Sequence, residues 1–253
     1  MKNGVLPVTV SYAEKIPVLV LFGPTASGKT GLAIKLAKQF DGEIICADSR
    51  TIYKGMDIGT AKQTSIEMQG VPHHMLDLVE PGQRYSIYKF QQETKRLIEE
   101  IRQRGKAPFL VGGSGLYLYT ILFDYDFSDD EPKRRDKLIP DCVAVGIEVK
   151  KEVLRQRISE RFQKMLDAGF EQEVRTLVAK YGPDCLQIKR NSYGEMQKYL
   201  RGEITRDELL ERAEIIDWQL AKKQRTWFRQ KRDEITWLPI EDAEQYLVDA
   251  LQK

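Results

Sequence analysis

The chain has 253 residues, 42% of them hydrophobic, enough for a large core that folds without disulfides. Its three cysteines, Cys46, Cys142 and Cys185, lie far apart with no C-x-x-C pair, which excludes a disulfide framework and a zinc ribbon and fits a reduced, cytoplasmic compartment. The net charge of +2 is close to balance, and no apolar run nears the roughly 20 residues a membrane helix needs.

The opening "MKNGVLPVTVSYAEK" breaks its apolar stretch at Pro7 and Thr9, so no signal peptide is expected. "IPVLVLF" (16–22) reads as a buried strand and "GKTGLAIKLAKQF" (28–40) as an amphipathic helix. "GEIICA" (42–47) is a second strand, followed by the Gly-, Asp- and Thr-rich loop "DSRTIYKGMDIGTAK" and by "HHMLDLV", a candidate third strand. "SIYKFQQETKRLIEEIRQRG" (86–105) predicts a helix with Ser86 as N-cap and Gly105 just past its end. "APFLVGG" (107–113) is another buried strand, "GLYLYTILF" a short helix and "CVAVGIE" (142–148) a fifth strand. This alternation predicts an α/β fold, a parallel sheet covered on both faces by helices.

After residue 148 the pattern turns helical, through "KKEVLRQRISERFQKMLDAG", "FEQEVRTLVAKYG", "NSYGEMQKYLRG" and "TRDELLERAEIIDWQLAKKQRTWFRQKR". "EITWLP" then reads as an edge strand and "EDAEQYLVDALQK" as a closing helix. The expected division is an α/β core over 1–148 and a helical part over 149–253 that completes it. The stretch 123–140, "FDYDFSDDEPKRRDKLIP", mixes charges with two prolines and reads as an exposed connection.

Gly23-Pro24-Thr25-Ala26-Ser27-Gly28-Lys29-Thr30 has the G-x-x-x-x-G-K-[ST] spacing of a phosphate-binding loop, placed between a strand and a helix as that loop requires. Loop amides and the helix N-terminus can cradle a diphosphate, Lys29 can neutralise it, and Thr30 can hold Mg²⁺. The motif by itself points to ATP or GTP. Asp48, at the carboxyl end of the second strand, should face the same crevice. There it could bind Mg²⁺ through a water, act as a general base, or cap a helix. His73 and His74 are adjacent, cannot share a helix face as metal ligands, and read as structural.

Six segments, "GPTASGKT", "ADSRTIYKGMDIGTAK", "VPHHMLD", "VGGSGLYL", "RFQKMLDAGFEQEV" and "QLAKKQRTWFR", stand in the order and at about the spacing found in tRNA dimethylallyltransferases, also called tRNA isopentenyltransferases. The chain resembles that family over about 17–122 and 142–240. The resemblance implies a P-loop-type fold whose loop, 23–30, holds the diphosphate of dimethylallyl diphosphate. The five-carbon group would pass to the N6 amine of adenosine 37, in the anticodon loop of a tRNA. Asp48 would serve as the base and Arg161 would add positive charge on the diphosphate, with Arg157 one turn earlier. Thr25 matches a position near the diphosphate and the adenine. Ser49, Arg50 and Thr51 continue the Asp48 motif toward the tRNA, and Ser114 keeps a hydroxyl where a threonine is usual. A cytoplasmic monomer using Mg²⁺ is the expected form.

For RNA contact, "IKRNSYGEMQKYLRG" and "AKKQRTWFRQKR" interleave Lys189, Arg190, Lys222, Lys223, Arg225, Arg229, Lys231 and Arg232 with Tyr193, Trp227 and Phe228. A solvated helix face accounts for the same charges, and a core for the same aromatics. The chain departs from the family in having only 123–140 where bacterial members carry a helical insertion that grips the anticodon stem. "NSYGE" replaces Gly-Tyr followed by a basic residue, and Trp218 stands where arginine is common. Related isopentenyltransferases without that grip act on free AMP, ADP or ATP. A P-loop kinase with 131–137, "EPKRRDK", as its lid, and an RNA-binding protein with a relic loop, are the readings from other classes.

Overall fold

The computed structural model describes residues 16–128, 133–229 and 235–252. Among these, six strands form one all-parallel sheet in the order β3-β2-β4-β1-β5-β6. They are β1 (Val18–Phe22), β2 (Gly42–Ala47), β3 (His73–His74), β4 (Ala107–Gly112), β5 (Cys142–Ile147) and β6 (Thr236–Leu238). β1, β2 and β4 are buried at every position, which is why they read as unbroken apolar runs and not as alternating ones.

Around the sheet pack α1 (Lys29–Gln39), α3 (Ile87–Gln103), α4 (Gly115–Leu122) and α9 (Ile240–Leu251), with α1 against α9 and α3 against α4. β1 feeds α1 and a strand two places to one side, whereas β4 feeds α4 and a strand two places to the other. The chain therefore leaves β1 and β4 in opposite directions and opens a crevice at their carboxyl ends, the usual ligand position in such sheets. Strand register aligns Phe22 with Gly112 and Gly112 with Ala47. Gly23, Gly113 and Asp48, the next residues along, consequently emerge side by side.

The helices α5 (Lys151–Asp167), α6 (Phe170–Tyr181), α7 (Asn191–Leu200) and α8 (Arg206–Arg229) enclose a second core, centred on Phe162, Phe170, Tyr193 and Met196. A small cluster of Leu154, Ile158 and Ala221, joined by Ala26 and Trp218, seats α5 and α8 on the loop after β1. β6 and α9 return to the sheet, and Phe228, Ile235, Ala243 and Leu247 belong to its core.

Several local expectations are met by direct bonds. The Ser86 hydroxyl accepts from the Lys89 amide (3.1 Å) at the start of α3. The stretch "HHMLDLV" is strand only at His73–His74; Val79 makes a separate bridge with Tyr53. The loop after β2 holds two elements that composition hides, a turn at Ile58–Thr60 and α2 (Ser65–Met68), the latter with a reciprocal cap between Thr64 and Glu67. The Thr-x-x-Glu spacing was the available signal. Lys231 and Arg232 lie outside the described residues, as do 129–132 of the connection.

Candidate active site

The loop 23–30 bends over the carboxyl end of β1 and delivers Lys29 and Thr30 to the first turn of α1. Gly28 sits at φ 89°, a left-handed conformation that favours glycine, and it caps the helix. A cavity of about 250 Å³ lies above it, bounded by Thr25 to Thr30, Asp48, Arg50, Thr51 and Arg161, and by Asp217 and Gln224 of α8. Residues from both ends of the chain thus meet at the crevice that the strand order creates.

Lys29 points its Nζ toward the Pro24 carbonyl (3.2 Å). Burial lowers its pKa to about 8, against the opposing pull of Asp48, while Arg161 lowers it further. Arg161 Nη1 donates to the Thr25 hydroxyl, and its buried Nε has no partner. Burial lowers the Arg161 pKa, and the Asp217 carboxylate works against that. Arg157 Nη1 reaches the carbonyls of Ala26 and Ser27 at 3.4 and 3.5 Å, bracing the loop from outside.

Asp48 Oδ1 accepts from the Arg50 amide (2.8 Å), and the Thr51 hydroxyl reaches the Asp48 carbonyl at 3.5 Å. The Ser114 hydroxyl accepts from the Ser49 amide (2.9 Å) and donates to the Ser49 hydroxyl (3.3 Å), so the turns after β2 and β4 are tied together. Cys46 also borders the cavity, but burial and the nearby Asp48 push its thiol up to about 12, which removes it as a nucleophile near neutral pH.

Two cavity-lining positions escaped the sequence reading. Gln224 Oε1 accepts from the Thr25 amide (2.8 Å) and its Nε2 donates to the Gly113 carbonyl (3.0 Å), bridging the loops after β1 and β4. Gly113 is required for that approach, since a Cβ there would come within 2.4 Å of Gln224 Nε2. Asp217 is a buried carboxylate facing the cavity. Its signal was periodicity: Leu209, Ala213, Asp217 and Ala221 share the buried stripe of α8, where a charge is out of place unless it has a task.

The remaining expectations divide. Lys189 and Arg190 are exposed ahead of α7. Tyr193 is corrected: fully buried, with its hydroxyl donated to Glu173 (2.6 Å), it has no face on which a base could stack. Phe228 is likewise core. His73 Nδ1 meets the Val71 carbonyl and His74 Nε2 meets Glu43, both away from the cavity lining. None of the described residues of the imagined kinase lid borders the cavity. A second cavity of about 540 Å³ borders the same loop at Pro24 and Ser27, sharing Ser27 with the first, and is lined by Lys150, Arg157, Arg225 and Arg229, by Glu148 and Glu241, and by apolar Ile147, Val153 and Trp237.

The IPP transferase family model matches residues 51–141 and 136–231. The chain belongs to that family. A tRNA dimethylallyltransferase of Bacillus pumilus is 36% identical over 288 aligned residues, covering 89% of this chain and 90% of the relative. That alignment is longer than this 253-residue chain, so the relative carries residues that are lacking here. The two family matches overlap at 136–141, at the end of the short connection. Among solved structures, a full-length tRNA isopentenylpyrophosphate transferase of Bacillus halodurans superposes with a TM-score of 0.83 at 29% identity, covering 94% of this chain and 97% of that one. A eukaryotic dimethylallyltransferase acting on tRNA gives 0.74 at 25% identity, covering 93% and 76%.

Proposed function

We propose that this IPP transferase moves the dimethylallyl group of dimethylallyl diphosphate onto the N6 amine of adenosine 37 in a tRNA, releasing diphosphate. The observation that carries the reading is the convergence of Lys29, Arg161, Thr25 and Asp48 on one cavity, in a chain whose curated relatives are tRNA dimethylallyltransferases. Cations and amides beside one cavity suit a leaving diphosphate as it develops charge, and the Asp48 carboxylate borders the same cavity.

In this reading the loop amides, Lys29 and Arg161 hold the diphosphate. The adenine N6 forms a bond to the allylic carbon as the carbon–oxygen bond breaks, and the electron pair leaves on the diphosphate. Asp48 takes the proton that N6 loses. Thr25, held by Gln224 and Arg161, positions the reacting ends. The second cavity, whose lining combines four cationic side chains with apolar ones, suits the donor's mouth. The tRNA then meets the opposite side, near Ser49, Arg50, Thr51 and Ser114, with Lys189 and Arg190 toward its backbone.

Mg²⁺ fits the donor set. Thr30, Asp48 and Asp217 present oxygens to the cavity, and no cluster of three or more His, Cys, Asp or Glu side chains among the described residues forms a cage. An ion held by one or two protein oxygens plus the diphosphate is how Mg²⁺ usually sits. When bound it would neutralise charge on the leaving group.

The test supplies labelled dimethylallyl diphosphate and Mg²⁺ with unmodified tRNA, AMP or ATP. Label in tRNA is expected. Label only in AMP would move the enzyme to free nucleotides, an outcome consistent with its short connection. Hydrolysis of ATP without prenyl transfer would sink both.

A further inference from the structure

The segment after β2 forms a wall of the cavity through Thr60, Ala61 and Gln63, yet its own regular structure there is a three-residue turn, Ile58–Thr60. A turn that short cannot hold itself in place. What restrains it comes from the second core. The Glu173 carboxylate on α6 accepts the amides of Asp57 (3.0 Å), Ile58 (2.6 Å) and Gly59 (3.1 Å) together. A carboxylate across the free N–H groups at the start of a turn is well placed for charge-assisted bonds.

Tyr193 adds a fourth bond to the same carboxylate (2.6 Å). Its ring presses on Gly59, where a Cβ would lie within 2.6 Å of the Tyr193 ring and 2.2 Å of Phe170. The ring also carries Arg50, whose guanidinium carbon stands 5.8 Å from its centroid and whose buried Nη2 has no partner. Within the segment, Lys62 reaches the Tyr53 carbonyl (2.9 Å) and the carboxylates of Asp57 and Asp77 (2.6 Å each). The wall is therefore held both by Glu173 from α6 and by Lys62 of its own segment.

The clamp is selective. Its bonds end on the segment that carries Asp48 and Arg50, whereas the diphosphate groups stand on the loop after β1 and on α5. We propose that Glu173 and Tyr193 are positioning residues for the acceptor: they set the Ile58–Thr60 wall and the Arg50 side chain, and so govern binding of the adenine nucleoside and not of the prenyl diphosphate. This rests on the transferase reading above.

The test uses the full chain, with steady-state prenyl transfer measured against each substrate in turn. Glu173→Gln keeps the volume and weakens the amide cluster, and should raise the KM for tRNA about tenfold while the KM for dimethylallyl diphosphate stays within about twofold. Tyr193→Phe removes only the hydroxyl and should give about threefold in the same direction. It keeps the test alive if Glu173→Gln does not fold. Inorganic diphosphate binding, followed by calorimetry, should be unchanged in both. A general loss of structure would move both KM values and the diphosphate affinity together; that result, or no change in either KM, would overturn the proposal. Failure of the wild-type chain to transfer a prenyl group to tRNA or AMP would remove the transferase reading itself, and with it this inference. Wild-type transfer with unsplit constants in the variants removes the inference alone.

Discussion

On one side of the cavity, Lys29, Thr30 and a row of amides come from eight consecutive residues, 23–30. On the other, Asp48, Arg50, Thr60, Asp217 and Gln224 come from the loop after β2 and from α8. The first wall needs only a strand, a tight turn and a helix N-terminus in succession. The second exists because two hydrophobic cores meet: the sheet core carries Asp48 to the edge, and the helical core presses Tyr193 and Glu173 on the segment that follows. One wall of the cavity is thus local and compact, while the other is assembled from segments far apart in sequence.

The largest expected effect breaks the chemical side of this contrast. Asp48→Asn should slow prenyl transfer by about 10²-fold or more and leave diphosphate binding nearly intact. Near-normal single-turnover rates would remove Asp48 from the base role. Gln224→Ala tests the joint between the walls. It frees the Thr25 amide and the Gly113 carbonyl together, so a loss of about 1–3 kcal/mol in stability is expected, with a higher KM for both substrates. An unchanged melting midpoint and unchanged kinetics would show that the bridge is dispensable.

A subtler effect belongs to the loop wall alone. The Lys29 pKa of about 8 means that the empty loop loses its cation as pH rises through that value. A bound diphosphate favours the protonated form and raises that pKa. Binding near pH 8 should therefore take up a proton, and affinity should fall from pH 7 to pH 9. Calorimetry in buffers of differing ionisation enthalpy measures the uptake, and proton release would contradict the sign. The smallest effect lies away from both walls: Ser86→Ala removes the α3 cap and should cost about 1 kcal/mol in stability with unchanged turnover. Denaturant unfolding beside an activity assay would expose any coupling between that helix end and the site.

Much of this was legible in advance. The buried strands, the loop 23–30 and the position of Asp48 follow from apolar runs and from one motif with local geometry. Arg161 came through family resemblance, since one arginine among many on α5 carries no local mark. Tyr193 was misplaced because an aromatic among lysines and arginines looks the same whether its ring stacks on a base or fills a core. Gln224 sat inside a recognised segment without a role, because its two bonds span loops distant in sequence. Asp217 was readable only by asking why an acid occupies an apolar stripe.

By itself the chain determined the parallel α/β framework, the tight strand–loop–helix connection at 23–30 and the family, because these depend on residue patterns spanning a few turns or strands. The tertiary structure alone decided that Glu173 clamps the Ile58–Thr60 turn, that Tyr193 is core, and that α8 closes the cavity with Asp217 and Gln224. Those outcomes depend on which buried groups find hydrogen-bond partners once two cores pack against each other, and no local periodicity encodes that choice.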